Sequence, residues 1–393
     1  MNFVRRLEGV TYTAGATVPV ELDKSLMYRD LAIRLTGQPT IAGASNTRAT
    51  TARGGAWSAV ARIAIRAGNE TIFECSGIEL VMLNAYLYGR MPEQATALGD
   101  GATANPSFDV VAIIPSELLR GRRRGDSFFD AGRLVNYRLE VTWAAHTAVN
   151  SNASGWTTNP AIEVNAAYVV PNRNPAAQRF TPRFNQRIVS VQKTYSAAAT
   201  ADRFKLETGI GVRALIINTL NSTGTTDTTG IVTNAKLFAG GQQIAEFSES
   251  MLRQYANLHA RMPHFQTSLP NCGITVLDIS AMGTANNTLQ DYTGSYSESA
   301  CENNAADLGA KINEIINFLN GRTMPVNWSQ SSLFDPRAWL ILDITPDGFM
   351  ADAIDTEQLN DFYLELNVSG ASIVNVLALQ LKDLAQPGLT LPR

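Results

Sequence analysis

The feature of this sequence that most constrains its fold is an internal repeat: segments of the first half return, in the same order, in the second half. Residues 11–17 read TYTAGAT, and residues 194–200 read TYSAAAT. Arg29, Leu31 and Ile33 then match Arg213, Leu215 and Ile217. A unit that recurs once over such a long stretch predicts two similar domains, and it excludes a solenoid of short repeats.

Two later echoes extend the repeat. Ala67-Gly68, Ile72, Glu74 and Ser76 align with Ala239-Gly240, Ile244, Glu246 and Ser248, and Tyr137, Leu139, Glu140 and Val141 align with Phe362, Leu364, Glu365 and Leu366. Chance matching in a β-rich sequence is the alternative explanation. Three echoes in the same order, with apolar residues in the same strand phase, favour duplication.

The spacing of the echoes divides the chain. The second and third echoes lie further apart in the second half, which predicts an insertion at about 282–320. It comprises a polar, Gly-rich loop at 282–304 and a helix at 305–319 with a single apolar stripe. We predict a first domain at 1–170, a linker at 171–186 that carries four prolines, and a second domain at 187–393.

Strand patterns dominate both halves. Residues 135–143 alternate apolar and polar side chains, and residues 56–66 do so less cleanly, as expected for strands with one buried face. Further strand candidates lie at 109–115, 162–170, 188–195, 212–220, 235–238, 275–279, 339–344, 362–368 and 373–381. Besides 305–319, helical patterns occur only at 76–87 and 248–259, each starting at a serine cap. The fold class predicted is all-β, with two tandem eight-stranded sandwiches and short helical excursions.

Composition excludes several functional classes. The net charge is −3 and only 17% of the residues are charged, so no global basic field is available to hold nucleic acid. The 3 cysteines include no CxxC pair, which argues against a disulfide framework and a zinc site. Residues 1–8 carry no apolar stretch after the arginines, so a secretory signal is not expected. No apolar run is long enough to span a membrane.

Motifs for catalysis are also missing from the sequence. His259 and His264 lie near each other but have no Glu or Cys at a metal-binding spacing, and no P-loop or GxSxG elbow occurs. A glycosidase uses two carboxylates, and two candidate pairs occur, Asp343 with Asp347 and Glu246 with Glu249. Roles in turns and helix caps explain both pairs better. We therefore expect no catalytic residue, no cofactor and no metal.

One charged cluster stands out. Arg120, Arg122, Arg123 and Arg124 form the densest basic run in the chain. Such a run suits a subunit contact, an inward-facing patch or a phosphate-binding surface. We favour a subunit-contact or inward-facing role because few aromatic residues are interleaved with the arginines.

Two similar β-sandwiches in tandem, each with the strand–Gly–strand–helix segment that starts at Ala67-Gly68 and at Ala239-Gly240, resemble the double jelly-roll major capsid proteins of tailless icosahedral bacteriophages of the tectivirus and corticovirus kind. The resemblance covers nearly the whole chain and is one of architecture. It implies two jelly rolls side by side and a homotrimer that is pseudo-hexameric, since each subunit contributes two domains. The sequence departs from tectivirus-like members in lacking a long amphipathic helix before the first strand, which puts a membrane anchor at this end in doubt.

The resulting functional hypothesis is a structural subunit that self-assembles into an icosahedral shell. Expected partners are the other copies of the trimer, neighbouring capsomers, penton or minor capsid proteins and an internal membrane, with no sequence-specific nucleic acid. The expected location is the virion, after synthesis in the host cytoplasm. The alternatives are a β-sandwich carbohydrate-binding or spike protein of a virus particle and, behind it, a glycan-cleaving enzyme.

Overall fold

The computed structural model describes most of both halves of the chain. The described residues are 3–41, 54–88, 92, 104–117, 127–170, 182, 184–225, 228, 230–252, 264–267, 277–280, 339–345, 353–356 and 359–383. For 264–267 and 277–280 only the backbone is described. The predicted loop at 282–304, the helix at 305–319 and the arginine run all lie outside these residues.

The first half forms a sandwich of two antiparallel sheets. Its strands are β1 (Phe3–Arg6), β2 (Val10–Thr11), β3 (Thr17–Glu21), β4 (Met27–Thr40), β5 (Val60–Ala67), β6 (Glu70–Cys75), β7 (Phe108–Pro115), β8 (Phe129–Asp130), β9 (Tyr137–Trp143) and β10 (Gly155–Val169). One sheet has the order β1-β10-β4-β7, with β2 on β10 and β8 on β4; the other has β6-β5-β9-β3. Helix α1 (Gly77–Tyr88) follows β6, and 3-10 helices span Gly55–Ala59, Ala131–Arg133 and His146–Ala148.

The second half repeats this plan. Its strands are β11 (Phe184–Tyr195), β12 (Ala199–Lys205), β13 (Gly211–Asn221), β14 (Val232–Ala239), β15 (Gln242–Ser248), β16 (His264–Thr267), β17 (Leu277–Ser280), β18 (Trp339–Asp343), β19 (Phe362–Val368) and β20 (Ser372–Asp383). The sheet orders are β18-β13-β20-β11 and β12-β19-β14-β15, while β16 and β17 pair only with each other among the described strands.

The two halves have the same topology. Matching each strand to its counterpart in chain order turns β1-β10-β4-β7 into β11-β20-β13-β18, and β3-β9-β5-β6 into β12-β19-β14-β15. Each half is thus an eight-stranded jelly roll, and the predicted fold class is confirmed. The equivalence holds in register as well: Ile65 and Leu237, each two residues before the echoed Ala-Gly, lie opposite the echoed leucines Leu139 and Leu364. The echoed Leu31 and Leu215 lie opposite Ala166 and Ala378, which are therefore equivalent positions.

Backbone hydrogen bonds repeat at echoed positions. The amide of Leu22 donates to the carbonyl of Tyr137 at 2.8 Å, and the amide of Leu206 donates to the carbonyl of Phe362 at 2.9 Å. In each half this bond ties the residue after one strand, β3 or β12, to the first residue of its neighbour in the sheet, β9 or β19. Local sequence identity alone does not produce such a long-range match, so the duplication extends to the fold.

The glycine echo has a structural cause. Gly68 and Gly240 lie in the turns β5–β6 and β14–β15 with φ of 64° and 56°, a region that glycine enters without steric cost. Each glycine amide donates at 3.0 Å to the carbonyl of the residue just before β9 or β19, which is Asn136 in the first half and Asp361 in the second. The same turn is therefore held by the same contact in both jelly rolls.

Two predicted elements differ from the structure near their ends. The strand expected at 56–66 begins only at Val60, because Trp57 and Ala59 belong to a 3-10 helix. A register shift between Val60 and Arg62 then leaves Ala61 exposed, although the alternation over 56–66 places it on the apolar face with Ile63 and Ile65. Val135, also assigned to a buried face, precedes β9 and is 87% exposed.

The segments between the predicted strands are shorter than expected. Strand β10 already begins at Gly155, ahead of the strand predicted from residue 162, and it starts with irregular pairing of Trp156 with Pro39 and Thr158 with Gln38. Strand β11 begins at Phe184, inside the predicted linker.

Candidate assembly surface

The contact between the two jelly rolls within one chain is the best-defined interface of the molecule. Strand β6 of the first half pairs in parallel with β11 of the second, with Phe73 opposite Ile188 and Glu74 opposite Val189. This pairing fuses two four-stranded sheets into one sheet of 8 strands that runs across both halves. Phe73 is 3% exposed and Ile188 is 1% exposed, so the side chains at the junction are as buried as those of a domain core.

Helix α1 lies at this junction, begins with a capping box and has no polar face. Ser76 Oγ accepts from the amide of Glu79 at 3.2 Å, and Glu79 Oε2 accepts from the amide of Ser76 at 2.7 Å, which is a capping box. Nine of its residues, Gly77 and 79–86, are buried. A helix that is buried all round must have neighbours on every side.

A buried carboxylate links the helix to the second half. Glu79 is 5% exposed, and its Oε1 accepts from the hydroxyl of Ser190 on β11 at 2.5 Å. With Ser76 on its other oxygen, the carboxylate has a partner on each side, as a buried charge requires. At the rim, Lys382 Nζ contacts the carboxylate of Glu70 at 2.8 and 2.9 Å.

Strand β13, in the second-half sheet β18-β13-β20-β11, is buried on both faces. On β13, Leu215 and Ile217 belong to the core of the second sandwich, whereas Ala214 and Ile216 belong to the core cluster of the first. All nine residues 212–220 are buried. A sheet covered on both faces reads as a continuous apolar run, and the run VRALIINTL carries that signal in the sequence.

The predicted arginine cluster lies outside the described residues, as Arg120, Arg122, Arg123 and Arg124 fall in the stretch 118–126. The described chain stops at Glu117, two residues past β7, and resumes at Ser127. The assignment of these arginines to a subunit contact or an inward-facing patch therefore stays a prediction.

The carboxylates weighed for catalysis have structural partners. Glu246 accepts hydrogen bonds from Asn234 at 2.8 Å and Gln243 at 3.0 Å, and these bonds lower the pKa of its carboxyl below the usual value. Glu249 accepts from the amide of Gly230 at 2.9 Å. Asp347, the partner suggested for Asp343, lies outside the described residues.

The described part of the chain contains neither a metal-binding cluster nor an exposed thiol. No three His, Cys, Asp or Glu residues converge there in a way that could hold a metal ion. Cys75 is buried, and the loss of solvation raises the pKa of its thiol well above the usual value. Within the same ranges, no helix has the length and apolar character to cross a membrane.

Sequence reasoning missed the residues of the junction. It placed Glu74 and the helix at 76–87 correctly, but it assigned no role to Ile188, Glu79 or Ser190. The available signals were the helix without a polar face and the strand without alternation, both of which require cover on two sides.

Comparison with known proteins found likeness in structure only. No family model matches, and no curated protein matches by sequence.

Three solved structures align over nearly the whole chain. The STIV MCP aligns with a TM-score of 0.59 and 13% identity, over 97% of this chain and 96% of that chain. The major capsid protein P2 from bacteriophage PM2 gives 0.52 and 9%, over 99% and 100%. The PBCV-1 virus capsid gives 0.53 and 9%, over 97% and 94%. With the strand order and register found above, this likeness shows that the chain has the double jelly-roll fold of these viral capsid structures.

Proposed function

We propose that this chain is the major capsid subunit of an icosahedral virion and that it assembles as a homotrimer. The observation that carries the proposal is the duplication: one chain holds two jelly rolls with the same strand order, register and long-range hydrogen bonds. Three such chains provide six similar domains, which is how a trimer fills a six-neighbour position in a shell. The structural relatives, which include capsid proteins, align over their whole length and not over one domain only.

The proposal accounts for features that an enzyme or a lectin would not need. The mechanism is burial of complementary surfaces and symmetric closure, with no chemical step. The low charged fraction of 17% suits a surface that is largely covered by neighbours. Neighbouring capsomers, penton or minor capsid proteins and an internal membrane are the partners that this role implies, and the virion is its location. The carbohydrate-binding or spike alternative is not favoured by a match that spans both jelly rolls.

The test is the oligomeric state of the purified chain. Light scattering coupled to size-exclusion chromatography is expected to give three times the 42.5 kDa chain mass at micromolar concentration, without any ligand. Negative-stain images are expected to show hexagonal outlines. A stable monomer of 42.5 kDa would contradict the proposal.

A further inference from the structure

Six strands end the three large sheets in the described part of the chain, and two of them, β1 and β15, have counterparts that pair with each other inside the molecule. Strand β1 pairs only with β10, and strand β15 pairs only with β14. Their counterparts in the other jelly roll are β11 and β6, which pair with each other at the intrachain junction. Among the six terminal strands, β1 and β15 are thus the two whose edges correspond to the edges that the junction joins.

The repeat places the free strands in register with the paired ones. Ala166 and Ala378 are equivalent positions, and they lie opposite Arg5 on β1 and Val189 on β11 respectively. Arg5 is therefore equivalent to Val189, and by the same count Val4 is equivalent to Ile188.

The residues of β15 are matched to those of β6 in the same way. Phe73 on β6 lies opposite Ile65, and Ala245 on β15 lies opposite Leu237. Ile65 and Leu237 are equivalent because each lies opposite the echoed leucine of the central strand, Leu139 in one half and Leu364 in the other. Phe73 is therefore equivalent to Ala245, and Glu74 is equivalent to Glu246.

Transferring the junction to two copies gives a specific contact. Phe73 pairs with Ile188 within the chain, so Ala245 of one copy pairs with Val4 of the next. Glu74 pairs with Val189, so Glu246 pairs with Arg5 of the next copy. Opposite charges meet in the second pair, and such cross-strand pairs are favourable.

Apolar side chains on β1 and β15 are exposed to solvent, whereas their equivalents at the junction are buried. Val4 is 75% and Phe3 is 40% exposed on β1, whereas Ile188, the equivalent of Val4, is 1% exposed. Ile244 on β15 is 48% exposed, whereas its equivalent Ile72 packs against the first core beside Ile188. Apolar side chains on an open strand edge are a template for pairing with another chain.

We propose that β1 of one copy adds in parallel to the β15 edge of the next copy and so repeats the intrachain β6–β11 junction between subunits. Each copy carries one edge of each kind, so the contact is head to tail, and three repeats close the ring. This inference rests on the proposed homotrimer and names the surface that builds it.

The first experiment is a disulfide cross-link. Val4→Cys and Ala245→Cys are combined in a chain with Cys272→Ser and Cys301→Ser, and buried Cys75 is kept. Directly opposed residues on paired strands lie at a Cα separation of about 5 Å, within the range that a disulfide spans. After mild oxidation, covalent trimers are expected on a non-reducing gel. Each single cysteine variant and the mismatched pair of Val135→Cys with Ala245→Cys are the controls and are expected to stay largely monomeric on that gel.

The second experiment exchanges the charges of the other pair. Arg5→Glu and Glu246→Arg are each expected to raise the concentration at which half of the trimer dissociates by about tenfold, and the double variant is expected to recover most of this loss. Circular dichroism of each variant reports whether the subunit itself has folded. Recovery in the double variant identifies a contact between the two positions, because the ion pair of Arg5 with Asp23 and the hydrogen bonds that Glu246 accepts within its own chain remain broken.

The outcomes separate the two proposals. A wild-type monomer would contradict the proposed function and this contact together. A wild-type trimer without the cross-link, in which the charge exchange changes nothing, would overturn this contact alone and leave the trimer to other surfaces.

Discussion

Truncation of the two echoed leucines tests the duplication most directly. Leu139 lies in β9 with neighbours on both sides, opposite Val20 on β3 and Ile65 on β5. It is 0% exposed. The change Leu139→Ala therefore leaves a cavity in the core of the first sandwich, which the close-packed surroundings prevent from collapsing fully.

Leu364 occupies the same place in the second half. It is 0% exposed and lies opposite Phe204 on β12 and Leu237 on β14. Removal of a fully buried leucine side chain costs about 2–5 kcal/mol of unfolding free energy. Each variant is expected to fall in that range, because both side chains are fully buried in the core of their own sandwich.

The assay is thermal unfolding at one fixed protein concentration, because assembly makes the Tm depend on concentration. A loss of about 3 kcal/mol corresponds to a fall in Tm of about 6–12 °C for a domain of 150–250 residues. Val135→Ala is the matched control: Val135 is 87% exposed and lies just before β9. Its change is expected to cost less than about 0.5 kcal/mol. If only one of the two leucine variants is destabilised, or neither differs from the control, the equivalence of the halves is refuted.

Four further changes test the junction, the helix and the segments outside the described residues. Gly77→Ala is expected to destabilise the fold by about 1–3 kcal/mol in urea unfolding, because the new Cβ would lie 2.1 Å from the carbonyl oxygen of Trp57. Ile188→Ala is expected to cost about 2–4 kcal/mol by the same measurement, since it opens the contact between the jelly rolls; a change below 0.5 kcal/mol would mean that the halves are independent. Replacing arginines 122–124 with serine is expected to reduce the yield of trimers or particles while leaving the Tm nearly unchanged, as exposed charges contribute little to folding; a large fall in Tm with assembly intact would assign them to the fold. Deletion of 282–304 is expected to leave both sandwiches folded by circular dichroism, and an unfolded product would place that segment in the core.

Side-chain periodicity made the architecture predictable. Tyr137, Leu139, Val141 and Trp143 were assigned to one buried face from their spacing, and all four are at most 1% exposed. The prediction works because alternation in a strand is a local property: neighbouring side chains point to opposite faces whatever the strand pairs with. The serine cap of α1 is equally local, so the start of the helix was placed within one residue.

The pattern was less reliable where the backbone departs from regular pleating. Ala61 continues the alternation of its segment in the sequence, yet the bulge beside Val60 turns it to solvent. A bulge adds one residue to one strand only, so it depends on the partner strand and leaves no mark in the periodicity.

The sequence by itself determined that the chain carries the same set of strands twice, with the same apolar faces, and that a serine-capped helix starts near residue 76. It did not determine which strand edges meet. The pairing of β6 with β11, the burial of Glu79 against Ser190 and the cover on both faces of β13 were decided only by the tertiary structure. The physical reason is that edge pairing depends on where two distant strands lie after each sandwich has closed, whereas every signal in the sequence reports only the neighbours of a residue along the chain.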